Sequence, residues 1–87
     1  MSNRVWVVDD DRSIRWVLEK AMSQAGISIS AFASADHAMH HLHDERPSAV
    51  ITDVRMPGTD GLEFIQHIHE AYPDLPVIIM TAHSDLD

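Results

Sequence analysis

The stretch that decides the fold is VWVVDDDRS, residues 5–13. Its first half, Val5–Val8, is a short run of β-branched and aromatic residues, which is typical of a buried strand. Three consecutive aspartates follow, from Asp9 to Asp11. Like charges at contact range repel each other, and a carboxylate prefers water to the end of a strand. The triplet therefore belongs either to a site that uses its charge or to a polar loop.

The residues after the aspartates predict an amphipathic helix. Asp11 or Ser13 can cap its start, and Gly26 suits its C-terminal end. Apolar side chains recur between these positions at steps of three and four residues, which places them on one helical face. That face consists of Ile14, Val17, Leu18, Ala21, Met22 and Ala25.

Strands and helices continue to alternate along the rest of the chain. Alternation of apolar strands with amphipathic helices indicates an α/β fold, with a parallel sheet covered on both faces. The predicted elements are a strand in ISISAF (27–32), a helix from Ser34 to about Asp44, a strand at Ala49–Thr52, a helix in LEFIQHIHEAY (62–72), a strand in LPVIIMTAH (75–83) and the first turn of another helix capped by Ser84.

Composition excludes several classes of protein. The 87 residues allow one domain at most. Fourteen acidic residues against six basic ones give a formal net charge of −8, so we expect no binding of nucleic acid through the overall field. Cysteine is absent, no apolar run has the length of a membrane span, and the N-terminus lacks the layout of a signal peptide. We therefore expect a cytoplasmic protein that binds no membrane.

Three predicted strands end in residues whose side chains can bind a metal ion or react. The first ends in Asp9 and Asp10, the third in Asp53 and the fourth in Thr81. In open α/β sheets, sites form beyond the carboxyl ends of the strands. If these strands are neighbours, the carboxylates converge, and Mg²⁺ is the hard cation that suits a few carboxylates and exchangeable water. A carboxylate beside Mg²⁺ can attack phosphorus, so the pattern favours a phosphoryl-transfer site.

Three segments together resemble the receiver domain of bacterial two-component response regulators. They are VVDDDRSIRWVLE, ITDVRMPGTDGLEF and LPVIIMTAHSDLD, and the resemblance covers essentially all 87 residues. Within this family, IRWVLE and MTAHSDLD favour the nitrogen-regulation activators of NtrC type. The resemblance implies a flavodoxin-like, doubly wound parallel sheet with strand order 2-1-3-4.

The resemblance also implies a role for individual residues. Asp53 is similar to the phosphoacceptor, Asp10 to the direct Mg²⁺ ligand and Asp9 to the acid that acts mostly through water. The backbone carbonyl of Arg55 would be a further ligand, and Thr81 resembles the hydroxyl that follows the phosphoryl group. The implied donor is a phosphohistidine on a sensor histidine kinase. The implied function is a signalling phosphoacceptor, not an enzyme, that controls transcription of nitrogen-related genes in the full-length family.

The chain is shorter than the receivers it resembles. They continue with a fifth strand, a last helix and a lysine that pairs with the phosphoryl group, so we expect residues 1–87 to be a partial receiver domain. The single lysine, Lys20, lies midway along the first predicted helix and cannot be that residue by position. The fourth strand would then be a bare apolar edge, which favours self-association.

Two other functions remain open from the residues. Asp9, Asp11 and Ser13 also resemble the nucleophile loop of haloacid-dehalogenase-type phosphatases, with Asp9 as nucleophile and Asp11 as acid–base. That scheme leaves Asp53 and the MPGTDG turn unexplained. The other alternative is a receiver-like module that only dimerises and is not phosphorylated.

Some further residues have simpler interpretations. His37 and His41 lie one helical turn apart and could bind a transition metal. No acid or cysteine obviously completes that set, so solvated helix faces are the better interpretation of the histidines. Trp6 and Trp16 are interpreted as packing residues.

Overall fold

The computed structural model of the chain describes residues 4–42, 44–53 and 61–80. Within them, strands and helices alternate in the order βαβαβαβ, as the sequence predicts. The elements are β1 (Val5–Val8), α1 (Arg12–Gln24), β2 (Ile29–Phe32), α2 (Ala35–His41), β3 (Ala49–Asp53), α3 (Gly61–Ala71) and β4 (Val77–Met80).

The four strands form one parallel sheet in the order β2-β1-β3-β4. This confirms the strand order implied by the resemblance. Strand β2 lies on one side of β1, and β3 and then β4 lie on its other side. Because crossovers between parallel strands are right-handed, α1 covers one face of the sheet, and α2 and α3 cover the other. The fold is therefore doubly wound, with a change of direction between β1 and β3.

The main hydrophobic core lies between the sheet and the pair α2 and α3. Alternate residues of β1, Trp6 and Val8, point into it because successive strand side chains face opposite sides. Helix α3 contributes Phe64 and Ile68, which recur at four-residue spacing on one face. The other buried members are Phe32, Ala35, Ala38, Leu42, Val50 and Leu75. Burial of these side chains fixes the strand register and with it the positions of the strand ends.

Helix α1 has the predicted caps, and none of its residues is fully buried. The Asp11 side chain accepts a hydrogen bond from the Ser13 amide, and Gly26 takes a positive φ of 80° just after the helix. However, Val17 and Trp16 are 54% and 58% exposed. The helix packs against β2 and β1, so side chains that face away from these two strands stay in solvent. Val17 therefore lies on the part of the apolar face that the sheet leaves uncovered, and the exposure of Trp16 argues against its interpretation as a packing residue.

Helix α2 is shorter than the sequence predicts. Ser34 caps its start, as expected, by accepting a hydrogen bond from the His37 amide at 3.2 Å. The helix ends at His41, before the predicted end near Asp44, and Leu42 forms its C-cap. The Tyr72 hydroxyl donates to the Leu42 carbonyl at 3.2 Å, which ties the end of α2 to the segment after α3. None of the described helices has the length and apolar character needed to cross a membrane.

Candidate acidic metal site

Asp9 follows β1 directly and is held by backbone hydrogen bonds. Its amide donates to the Phe32 carbonyl at 3.0 Å, which extends the β1–β2 pairing by one residue. Its Oδ1 accepts a hydrogen bond from the Asp11 amide at 2.8 Å. The side chain is only 1% exposed, and its Oδ2 has no hydrogen-bond partner among the described residues. A buried carboxylate oxygen without a partner is costly, so this atom points to a ligand.

Asp53 is the last residue of β3 and lies beside Asp9 at the same edge of the sheet. The register that pairs Val8 with Thr52 places the next residue of each strand side by side. Asp53 is 4% exposed. The buried Thr52 hydroxyl donates to the Asp53 carbonyl at 3.1 Å and so satisfies its own polar group locally. The convergence predicted for the ends of the first and third strands is therefore present.

Asp10 completes a cluster of three carboxylates. One oxygen from each of Asp9, Asp10 and Asp53 lies within 4.8 Å of the others, with Asp10 exposed and the other two buried. Burial raises the pKa of the Asp9 carboxyl. The hydrogen bond from the Asp11 amide lowers it, and the charges of Asp53, Asp10 and Asp11 raise it further. Three carboxylates this close repel each other unless a cation joins them.

These residues fit Mg²⁺ by the chemistry of their donors. All three donors are carboxylate oxygens, which hard cations prefer, and the cluster contains no nitrogen or sulfur ligand. The buried Oδ2 of Asp9 has no hydrogen-bond partner among the described residues, and the exposed Asp10 leaves room for water. Mg²⁺ usually keeps several waters and takes only one or two carboxylates directly.

Arg15 contributes to the site in a way that the sequence did not reveal. Its guanidinium donates a hydrogen bond of 2.7 Å to the backbone carbonyl of Asp9. The arginine lies on the first turns of α1, so this bond fixes the helix to the end of β1, where the acidic pair begins. Sequence patterns identify helix faces and caps, but they do not show which backbone carbonyl a long side chain will reach.

Asp11 does not belong to the cluster. Its side chain accepts the hydrogen bond from Ser13 and caps α1, as the sequence predicts. The phosphatase scheme needs this carboxylate as an acid–base beside Asp9. Its use as a helix cap therefore argues against that scheme, which also does not use Asp53.

Two predicted site residues, Arg55 and Thr81, lie outside the described residues, and so does the predicted helix start at Ser84. Lys20 lies on α1 with its ammonium 4.8 Å from the centre of the Trp16 ring. It is nine residues after Asp11, roughly 13 Å along the helix axis. This position agrees with the prediction that Lys20 is not part of the acidic site.

Comparison with known proteins identifies the family. Residues 5–87 match the family described as the response regulator receiver domain. The chain is 55% identical over 83 residues to the DNA-binding transcriptional regulator NtrC of Proteus hauseri. That alignment covers 95% of this chain and 18% of the relative. The chain thus spans about a fifth of the length of the NtrC relatives that it matches.

Solved structures agree with this assignment. A solution structure of the apo receiver domain of nitrogen regulatory protein C is 50% identical, with a TM-score of 0.84, over 98% of this chain and 68% of that one. The response regulator TrrA of Thermotoga maritima, solved in complex with Mg²⁺ and BeF, is 32% identical, with a TM-score of 0.88, over 99% of this chain and 77% of that one. The chain belongs to the response regulator receiver family and is of NtrC type.

Proposed function

We propose that this receiver domain accepts a phosphoryl group on Asp53 from a phosphohistidine of a sensor histidine kinase, with Mg²⁺ bound beside it. The observation that carries the proposal is the convergence of Asp9, Asp10 and Asp53, together with the buried and unpartnered Oδ2 of Asp9. In this role the chain modifies itself and passes on a signal; it does not turn over a separate substrate as an enzyme would.

The proposed ligand set combines described residues with one from the family resemblance. Asp10 and Asp53 would bind the ion directly, and Asp9 would act mostly through water. The backbone carbonyl of Arg55 is the further ligand that the resemblance implies. Mg²⁺ held there would offset part of the negative charge of the carboxylates and of the transferring phosphoryl oxygens.

The proposed reaction is a displacement at phosphorus. A carboxylate oxygen of Asp53 attacks the phosphorus of the phosphohistidine, and an O–P bond forms as the P–N bond breaks. The electron pair of the broken bond stays on the imidazole nitrogen of the kinase, which takes up a proton. The product is an acyl phosphate on Asp53. The side chain is nearly buried, so the protein fixes the direction from which the donor approaches.

The acyl phosphate adds negative charge at the edge of the sheet, and a hydroxyl group can respond by donating a hydrogen bond to it. By family resemblance, Thr81 is the residue whose hydroxyl moves toward the phosphoryl oxygens and shifts the population of receiver conformations. We propose that this shift operates in the cytoplasm, within a regulator of NtrC type that controls transcription of nitrogen-related genes.

The proposal can be tested with a small acyl phosphate donor such as acetyl phosphate. The chain is incubated with the donor in the presence of Mg²⁺ or of a chelator, and its gain in mass is followed by intact-protein mass spectrometry. Asp53→Asn is compared with Asp74→Asn, an exposed acid in the turn after α3 that serves as the matched control. We expect Mg²⁺-dependent phosphorylation of the wild type and of Asp74→Asn, and none of Asp53→Asn.

Phosphorylation of Asp53→Asn at the wild-type level would contradict the proposal, as would phosphorylation that does not change when Mg²⁺ is removed. The kinase is tested separately, by mixing the chain with a phosphorylated sensor histidine kinase and following loss of the label from the kinase. Loss of label to the wild type but not to Asp53→Asn is the expected result.

A further inference from the structure

Two histidines of α2 form a restrained pair on the side of the molecule covered by α2 and α3. The ring centres of His37 and His41 lie 5.0 Å apart. Each ring also contacts the Phe32 ring, at 5.6 Å for His37 and 5.3 Å for His41. Phe32 is buried in the core and packs against Trp6 at 4.8 Å. The two imidazoles therefore each lie against a buried aromatic ring, while His37 stays exposed and His41 half-buried.

The tautomer of His41 is set by a hydrogen bond. Its Nδ1 lies 3.1 Å from the His37 carbonyl oxygen. A carbonyl oxygen can only accept, so Nδ1 carries the proton, and in the neutral ring Nε2 keeps its lone pair. Histidines that bind metals typically donate their second ring N–H to a carbonyl or carboxylate in this manner. The bond thus prepares Nε2 of His41 to act as a ligand.

The spacing of the two rings suits a shared ion. Imidazole nitrogens bind first-row metals at about 2.0–2.1 Å, which places the centres of two rings on one tetrahedral or octahedral ion roughly 4.5–5.2 Å apart. The observed 5.0 Å lies within this range. Ser34 fixes the start of the helix through the His37 amide, so the first ligand is held by a capped backbone.

We propose that His37 and His41 chelate a divalent first-row transition-metal ion of borderline hardness, such as Cu²⁺, Ni²⁺ or Zn²⁺, with water in the remaining positions. Imidazole suits these ions, whereas the carboxylates of the acidic site suit Mg²⁺. The net charge of −8 favours the approach of cations in general. This site is separate from the acidic cluster in ligand chemistry and does not depend on the proposed phosphorylation.

The test uses the untagged chain, because an added histidine tag would bind the same ions. Excess Mg²⁺ is present to occupy the acidic site, and Cu²⁺, Ni²⁺ and Zn²⁺ are each titrated by isothermal calorimetry. The variants are His37→Ala and His41→Ala. The matched controls are His67→Ala and His69→Ala, two exposed histidines on α3. Circular dichroism of each variant checks that the fold is kept.

We expect one ion per chain, with Cu²⁺ bound more tightly than Ni²⁺ or Zn²⁺. Either His37→Ala or His41→Ala should weaken binding by about 10–100-fold or more, since loss of a ligand costs at least as much as loss of its supporting hydrogen bond. The two control variants should bind as the wild type does. The inference is overturned if the wild type binds no ion, if either ligand variant keeps wild-type affinity, or if a control variant loses as much affinity as the ligand variants.

Discussion

The carboxylates of Asp9 and Asp53 meet within 4.8 Å at the ends of two neighbouring strands, although both side chains are almost fully buried. Strand pairing brings them together, because the register of β1 and β3 places the residues after Val8 and Thr52 side by side. Two buried like charges at this distance destabilise the fold unless a cation or a proton compensates them. The strand ends therefore form the acidic site at a cost in stability, as is common at functional sites.

Replacement of Asp10 should separate metal binding from folding. Asp10 is the exposed member of the cluster, so Asp10→Asn removes a ligand and relieves repulsion without disturbing the core. We expect Mg²⁺ affinity to fall by about tenfold or more, and the free energy of unfolding without metal to stay equal or rise. Calorimetric titration and urea denaturation measure the two quantities. Equal Mg²⁺ affinity in Asp10→Asn and in the control Asp74→Asn would contradict the ligand assignment.

Arg15 should act on the site through position and not through charge. It holds the Asp9 carbonyl at 2.7 Å, so Arg15→Met frees the backbone that carries the acidic pair. We expect Mg²⁺ affinity to fall by about tenfold, as when other outer-shell contacts are removed. Loss of the positive charge alone would raise Mg²⁺ affinity, because the electrostatic field at the site would become more favourable to a cation.

Arg12→Met is the matched control for this effect, since Arg12 is exposed and one turn or less from Arg15 on the same helix. It removes the same charge without the hydrogen bond to Asp9. If both variants raise Mg²⁺ affinity to the same extent, the contribution of Arg15 is electrostatic and its positioning role is wrong.

Asp9 should make stability depend on pH in the absence of metal. Burial raises the pKa of Asp9 in the folded chain above the ordinary value of 3.8, which the unfolded chain keeps. At pH values between the pKa of Asp9 in the unfolded chain and its raised pKa in the folded chain, the folded state binds more protons than the unfolded state. The free energy of unfolding therefore falls as pH rises through this window. Asp9→Asn keeps the acceptor oxygen for the Asp11 amide and removes the ionisation.

We therefore expect Asp9→Asn to be more stable than the wild type at neutral pH without Mg²⁺, and the two to converge as the pH falls below about 4. Thermal unfolding across this pH range measures the difference. A wild type that gains stability relative to Asp9→Asn as pH rises from 4 to 7 would show that the sign is wrong.

Strand β4 should promote self-association. Ile78 and Ile79 are consecutive strand residues that point to opposite faces, and both are more than half exposed. This strand is at one edge of the described sheet, and an apolar edge strand tends to pair with another chain. We expect association at high concentration in sedimentation velocity, and less of it in Ile79→Lys. Val17→Lys, an exposed apolar residue on α1, is the control, and an equal reduction in both variants would mean that the edge strand is not responsible.

The sequence predicted the features that depend on local patterns. The strand runs, the caps at Asp11, Ser34 and Gly26 and the acidic residues after β1 and β3 are all encoded in short segments, and the structure confirms them. The exposure of Val17 was not predictable in the same way. Its helical spacing shows that it lies on an apolar face, but not how much of that face the sheet covers.

Long-range contacts were also beyond the sequence patterns. The bond from Arg15 to the Asp9 carbonyl joins a helix to a strand end, and the packing of His37 and His41 on Phe32 joins α2 to β2. Such contacts depend on the relative placement of elements. The roles predicted for Arg55 and Thr81 stay predictions, because both residues lie outside the described part of the chain.

The most direct test of the central claim is to locate the phosphoryl group after reaction with acetyl phosphate and Mg²⁺. The acyl phosphate is reduced with borohydride, which converts the modified aspartate to homoserine, and the chain is mapped by peptide mass spectrometry. The account predicts homoserine at position 53 and at no other aspartate, even where the fraction modified is small. Modification of Asp9 would support the phosphatase-type alternative, and no modification of any aspartate would support a module that only dimerises; either result would contradict the assignment of Asp53 as the phosphoacceptor.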